Sequence, residues 1–112
     1  MERNAHSPRA RAAHELTERQ RRHLRGLAHA LKPVIRLGLA GLTDAVAHET
    51  ARALEVHELV KVKAAGGDRE TRDQLFAELA ERTGSALVQR IGHVAVLYRP
   101  RPEGPQLLLP DP

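Results

Sequence analysis

Two glycines three positions apart form the most suggestive short motif of the chain. This motif, the glycine loop, comprises Gly38, Leu39, Ala40 and Gly41. It follows an apolar stretch, residues 34–37, that predicts a short strand. It precedes Thr43, whose hydroxyl can cap the start of a helix. Glycine tolerates positive φ and close approach of another backbone. The unpaired amides of a helix start attract phosphate.

Two interpretations of the glycine loop remain open on the motif alone. A GXXG loop clamps nucleic-acid backbone in the K-homology domain, which favours a phosphate site. The loop of nucleotide triphosphatases is excluded, since its lysine and its longer spacing are missing. Because two glycines at this spacing often occur by chance, the motif taken alone favours a structural turn.

Basic residues are concentrated around the glycine loop in the sequence. The chain has a formal net charge of +4, and residues 1–36 hold nine of the 18 Lys and Arg residues but three of the 14 acids. Such asymmetry is typical of proteins that bind polyanions, although a solvated basic surface would look the same. The candidate phosphate contacts are Arg21, Arg22, Arg25 and Lys32 in the first predicted helix, and Arg36, Lys61 and Lys63 in strands.

Other kinds of chemistry lack the residues they require. The absence of cysteine excludes disulfides, thiolate zinc sites and cysteine nucleophiles. None of the seven histidines is spaced for a metal site, no nucleophile is paired with a base, and no cofactor motif is present. With Phe76 and Tyr98 as the only aromatic residues, base stacking on an aromatic platform is not expected. We therefore expect no metal, no cofactor and no catalysis.

The periodicity predicts three helices and four strands in the order α-β-α-β-α-β-β. A capping box at Thr17 opens a helix that should run to about Leu31 before Pro33, burying the stripe Leu24, Leu27, Ala28 and Leu31. The second helix should follow Thr43 to about Val56, and the third should run from the Asp68 cap to Arg82, before Gly84. Strands are predicted at residues 34–37, 59–63, 86–91 and 94–98.

These elements predict a single compact α/β domain, in which a mixed four-stranded sheet is packed with three helices. Residues 1–15 are polar and arginine-rich and are expected to form a flexible basic tail. Residues 101–112 are proline-rich and are expected to be extended. The start of the chain has no apolar signal core, and no stretch is long enough to span a membrane, so we expect a cytoplasmic protein.

Several blocks in the same order closely resemble the bacterial YhbY-like proteins, which are stand-alone CRM domains (chloroplast RNA splicing and ribosome maturation). The blocks are LRGLAH at 24–29, LKPV at 31–34, LGLAGLT at 37–43, ALEVHELVKVK at 53–63, RTG at 82–84 and IGHVAVLYRP at 91–100. The resemblance covers about residues 16–100. It implies a fold like the C-terminal domain of translation initiation factor three, with residues 16–100 as a CRM-like RNA-binding domain.

The same resemblance implies a function and a site. Bacterial members of the family associate with precursors of the large ribosomal subunit, and plant relatives assist intron splicing. The family's GxxG loop and nearby basic residues are its proposed RNA-contacting surface, which corresponds to the glycine loop here. The family often has a polar or basic residue where this chain has Ala40, so we expect the loop to use its amides.

We therefore expect a ribosome-assembly factor that binds large-subunit ribosomal RNA precursors and assembly intermediates. A DNA-binding module is one alternative, although no helix shows the Asn, Gln and Arg cluster that reads the major groove. A protein-interaction adaptor that docks through Leu107, Leu108 and Leu109 is another. An RNA-modifying enzyme is a more distant third, since no catalytic constellation appears.

Overall fold

A computed structural model describes residues 16–112. The basic tail predicted at residues 1–15 lies outside the described residues. The elements are α1 (Glu18–Ala28), β1 (Ile35–Leu37), α2 (Asp44–His57), β2 (Leu59–Ala64), α3 (Arg69–Thr83), β3 (Ala86–Ile91) and β4 (Val94–Tyr98). The predicted order and the single α/β domain are confirmed. None of the helices within residues 16–112 is long and apolar enough to cross a membrane.

The four strands form one mixed sheet in the order β1-β2-β4-β3. The edge strand β1 is parallel to β2, because α2 carries the chain back across the sheet between them. The other pairs are antiparallel, and Gly92, with φ of 57°, allows the tight turn of the β3–β4 hairpin. The predicted mixed four-stranded sheet is therefore correct.

One face of the sheet is covered by α2 and α3. Leu54 of α2 and Phe76 and Leu79 of α3 are fully buried against apolar strand residues that include Val62 and Leu97. Because side chains alternate along a strand, this cluster uses every second residue of β1 and β2. The residues between them must point to the other face.

The other face of the sheet is covered in part by α1 and the end of the chain. Leu24 and Ala28 of α1 pack with Leu59, Val96 and Tyr98. Leu16, Leu107 and Leu109 add partly buried side chains to the same cluster. The two clusters share the sheet between them, so the domain has three layers.

Three predicted helix ends match the structure because short-range chemistry sets them. The Thr17 hydroxyl accepts the backbone N–H of Gln20, and the Gln20 side chain accepts the Thr17 N–H. The Thr43 hydroxyl accepts the N–H of Val46, as expected for a cap of α2. Gly84 ends α3 in the left-handed conformation, with φ of 66°.

The predicted end of the first helix was wrong by one turn. The helix ends at Ala28 because the Leu31 N–H donates to the Ala28 carbonyl, three residues back, and Pro33 disfavours helical geometry at Lys32. Two of the four residues predicted to be buried on this helix are buried in the structure. Leu24 and Ala28 are buried, whereas Leu27 and Leu31 are each 39% exposed.

Residues 101–112 form neither helix nor strand, and hydrogen bonds attach them to the domain. The carboxylate of Glu58 is fully buried, and it accepts backbone N–H groups from Arg101 at 2.7 Å, Gln106 at 2.9 Å and Leu107 at 2.8 Å. The Gln20 side chain donates to the Pro110 carbonyl at 3.1 Å. The end of the chain therefore packs on the domain beside α1.

Candidate nucleic-acid interface

The glycine loop is a tight turn at the surface between β1 and α2. The Gly41 N–H donates to the Gly38 carbonyl at 3.0 Å, and Gly41 has φ of 74°. A Cβ atom on Gly41 would meet only Leu75 Cδ2, at 3.8 Å, so the positive φ rather than space favours glycine there. A Cβ on Gly38 would meet nothing within 4 Å, and Leu39 is 97% exposed. The loop backbone is therefore open to a ligand.

Three turns meet where β1 and β2 end, and together they form the loop edge of the sheet. These turns are the glycine loop, residues 65–67 and the hairpin at Gly92 and His93. The Ala65 N–H donates to the Leu37 carbonyl at 2.8 Å, and the Ala64 N–H donates to the His93 carbonyl at 2.7 Å. Helices α2 and α3 both begin directly after turns of this edge. Their N-termini bring partial positive charge to it.

Acidic side chains also lie at the starts of the two helices: Asp44 in the first turn of α2, where it pairs with Arg82 at 2.6 Å, Glu70 in the first turn of α3, and the cap residue Asp68. The Asp68 carboxylate accepts the backbone N–H of Thr71 at 2.8 Å and caps α3. This hydrogen bond holds the pKa of the Asp68 carboxyl below its usual value. The N-terminus of α3 is thus occupied by its own cap.

Three cations on the sheet form the basic sheet face: Arg36, Lys61 and Lys63. Arg36 of β1 and Lys63 of β2 are directly paired in the parallel register. Lys61 is two residues before Lys63, and it therefore points to the same side of the sheet, about 7 Å away along the strand. Ile35 and Val62 point the other way, into the core beneath α2 and α3. The basic sheet face is therefore the face that α1 covers only in part.

The basic sheet face reaches the loop edge. Arg36 is two residues before Gly38. Lys63 is paired with Val94, the first residue of β4 after the hairpin turn. No hydrogen bond or ion pair engages the side chains of Arg36, Lys61 or Lys63 among residues 16–112. These cations can therefore turn towards an anion held at the loop edge without breaking a contact.

The cations predicted in the first helix are divided by the structure. The Arg21 side chain donates to the Leu87 carbonyl at 2.9 Å, at the edge strand β3, and it lines a cleft with Glu78 and Glu81. Arg25 forms an ion pair with Glu18 at 2.8 Å, which lowers the pKa of the Glu18 carboxyl.

Two further cations of the predicted set remain more accessible. Arg22 is exposed on α1. Lys32 lines a groove together with Lys61. Of the predicted basic residues, the structure thus brings Lys32, Arg36, Lys61 and Lys63 to one side of the sheet, whereas Arg21 lies at its far edge.

Two arginines of α3 at the loop edge were not predicted as part of a site. The Arg72 side chain donates to the carbonyl groups of Gly67 and Gly92, and so joins two of the three turns. Arg69 is exposed in the first turn of α3. The available signal was their position just after Gly66 and Gly67, since a glycine-containing loop that leads into a helix N-terminus is a common anion-binding arrangement.

The described residues offer little for metal or acid–base chemistry. No group of three or more His, Asp or Glu side chains is placed to hold a metal ion among residues 16–112. The fully buried acid in this part of the chain is Glu58, whose carboxylate is occupied by three backbone amides. The arrangement at the loop edge suits binding of an anionic backbone by amides and cations.

Comparisons with known proteins match this architecture. Residues 16–99 match the family model of the CRS1/YhbY (CRM) domain. An RNA-binding protein from Haemophilus influenzae is 50% identical over 88 residues, which is 79% of this chain and 89% of that protein. A Pseudomonas aeruginosa protein, also proposed to bind RNA, is 43% identical over 88 residues, which is 79% of this chain and 85% of that protein.

A solved structure agrees with the sequence matches. The solution structure of a Staphylococcus aureus protein, for which RNA binding has been proposed, superposes with a TM-score of 0.74 at 36% identity. The match covers 85% of this chain and 99% of that one. The fold and the glycine loop together define the class of protein: a small α/β domain with a GXXG loop at the start of a helix. The chain belongs to the CRS1/YhbY (CRM) domain family, as the resemblance predicted.

Proposed function

We propose that this protein binds structured RNA through the glycine loop and the basic sheet face, and that it does so without catalysis. The observation that carries the proposal is the junction of the two surfaces: the exposed loop backbone lies two residues from Arg36, which is paired with Lys63. Relatives that cover most of the chain are RNA-binding proteins by name. The RNA we propose is a large-subunit ribosomal RNA precursor within assembly intermediates in the cytoplasm.

In this proposal the glycine loop donates backbone N–H groups to phosphate oxygens, and the cations neutralise neighbouring phosphates. Leu39 and Ala40 carry no polar side-chain atoms, so hydrogen bonds from the loop must come from its backbone. Lys32, Arg36, Lys61 and Lys63 extend the contact along the sheet. Arg22 and Arg25 on α1 are peripheral contacts, and Arg21 is the most distant. Contacts of this kind recognise backbone and shape more than sequence.

The adaptor alternative has less support in the structure. Leu107 and Leu109 pack against the cluster of Leu24, Leu59 and Tyr98, which leaves Leu108, 81% exposed, as the outward-facing leucine of that run. A single exposed leucine is common on protein surfaces. Cations contact the phosphates of RNA and DNA alike, so they do not separate an RNA-binding protein from a DNA-binding module. The test therefore includes DNA as a competitor.

The proposal is tested by measuring the affinity of the full chain for a large-subunit ribosomal RNA fragment over a salt series, with duplex DNA of equal length as competitor. We expect RNA binding that resists the DNA. We also expect Arg36→Ala to weaken binding to every RNA sequence alike and to reduce the slope of log affinity against log salt by about 1, because one phosphate contact is lost.

The matched control is Arg52→Ala, which removes the same charge from the exposed side of α2, on the opposite side of the sheet. This variant should keep the parent slope. Equal changes in the two variants, or equal competition by RNA and DNA, would mean that the basic sheet face is a generic polyanion surface, and the proposal would fail.

A further inference from the structure

An apolar groove with a cationic rim lies at the end of α1, next to the basic sheet face. Its volume is about 410 Å³. The partly exposed Leu27, Leu31 and Val34 line it, with Lys32 and Lys61 at the same opening. Val34 is 53% exposed. These apolar side chains contribute little to the core, and their grouping on one surface indicates a binding site more than isolated exposed leucines would.

The groove is held open by hydrogen bonds from both sides. The Val34 N–H donates to the Lys61 carbonyl at 3.0 Å, which attaches the α1–β1 connection to β2. On the other side Leu107 lines the groove, and its N–H donates to the Glu58 carboxylate at 2.8 Å. Both walls are therefore attached to the domain through their backbone, which favours a preformed site.

The charge of the groove selects an anionic occupant. Lys32 and Lys61 are the charged side chains that line the groove. The nearby Glu58 carboxylate is buried behind Leu107 and accepts three backbone N–H groups, so it does not face the opening. A volume of about 410 Å³ is typical of a site for a small molecule or a single group. A stable protein partner would bury roughly 800 Å² on each side and would need a wider apolar surface. An apolar group linked to negative charge is the chemistry that fits, and an unpaired nucleotide has both parts.

We propose that the groove takes one unpaired nucleotide of the bound RNA, with the base against Leu27, Leu31 and Val34 and the phosphates beside Lys32 and Lys61. This inference rests on the proposed function and deepens it. Lys61 precedes Lys63 by about 7 Å along β2, so an RNA backbone that follows the basic sheet face passes the groove. Apolar side chains can hold an unstacked base, which compensates for the lack of exposed aromatic residues.

The proposal predicts a preference for RNA with an unpaired base over fully paired RNA. The test compares the full chain with the double variant Leu27→Ala and Leu31→Ala, on a stem with one bulged 2-aminopurine and on the same stem fully paired. The parent should bind the bulged RNA about tenfold more tightly. The double variant should lose that preference and the fluorescence change, and should keep its affinity for the paired stem.

Two controls separate the groove from general effects. Val56→Ala removes a comparably exposed apolar side chain from α2, outside the groove, and should behave like the parent. Val34→Thr keeps the shape of the groove wall but replaces one methyl group with a hydroxyl. It should reduce the preference for the bulged RNA, and it provides a second test if the double variant loses stability.

Each contrary outcome has a distinct meaning. A parent that binds the paired stem but gains nothing from the bulge overturns the groove proposal and leaves the proposed function intact. A parent that binds neither RNA overturns both. Loss of a protein partner in nuclease-treated samples by the double variant, with its RNA preference unchanged, would assign the groove to protein binding and also overturn the proposal.

Discussion

Tyr98 shows how one buried side chain links the stability of this domain to pH. Its ring is 2% exposed within the cluster beneath α1. Burial, and secondarily the negative charge of Glu58, raises the pKa of the Tyr98 phenol to about 12. The pKa of a tyrosine in the unfolded chain is about 10. The unfolded state therefore loses this proton first as the pH rises.

The sign of the resulting pH dependence follows from that order. The stabilisation from Tyr98 is complete below about pH 10 and is lost as the pH rises towards 12, because only the unfolded state is ionised in that interval. We expect the unfolding free energy of the parent to fall more steeply between pH 9 and about pH 11.5 than that of Tyr98→Phe, in urea denaturation at each pH. Parallel curves would show that the phenol does not titrate differently in the two states.

The helix caps could be predicted from the sequence, whereas the exposure of two leucines on α1 could not. The caps at Thr17, Thr43 and Gly84 depend on neighbours within four residues, so the sequence was sufficient to predict them. The exposure of Leu27 and Leu31 was predicted wrongly, because it depends on tertiary contacts, and Leu24 and Ala28 are the residues of α1 that the sheet buries. The loss of regular helix after Ala28 also removes the periodicity on which that prediction was based.

At the scale of elements, the end of the chain is held by a side chain that no local pattern reveals. Glu58 ends α2 with φ of 62°, an uncommon conformation for a residue other than glycine. Both of its carboxylate oxygens accept backbone N–H groups from residues at least 43 positions later. The sequence predicted no such role for Glu58, because its partners lie in a segment that was expected only to be extended.

Glu58→Gln tests this attachment. The amide nitrogen of glutamine cannot accept a hydrogen bond, so at least one of the three partly buried backbone donors loses its acceptor. We expect the unfolding free energy to fall by about 1–3 kcal/mol and limited proteolysis to cleave faster within residues 101–107. Glu49→Gln on the exposed side of α2 is the control. Equal stability of the two variants would contradict the attachment.

At the scale of the whole molecule, the fold was predictable and the distribution of charge over it was only partly so. The alternation of helix and strand patterns was sufficient for the four-stranded mixed sheet, since crossovers and hairpins allow few topologies. The alternation of Lys61 and Lys63 with apolar residues placed both lysines on one side of β2. The separation of Arg21 from them was not predictable, because it depends on how α1 crosses the sheet.

The central claim is that the backbone of the glycine loop lies against RNA phosphate, and Gly38 is the best place to test it. Gly38 lacks a positive φ, and a Cβ there meets nothing within 4 Å, so a substitution should leave the fold intact. Gly41 is less suitable because its φ of 74° strains any side chain.

The measurement is the affinity for a large-subunit ribosomal RNA fragment of three proteins: the parent, Gly38→Ala and Gly38→Asp. Gly38→Ala adds a methyl group without charge and should bind like the parent. Gly38→Asp places a carboxylate beside phosphate and should bind about five- to tenfold more weakly, with the difference shrinking as salt is added. If Gly38→Asp binds as tightly as Gly38→Ala at low salt, the loop does not contact the RNA backbone.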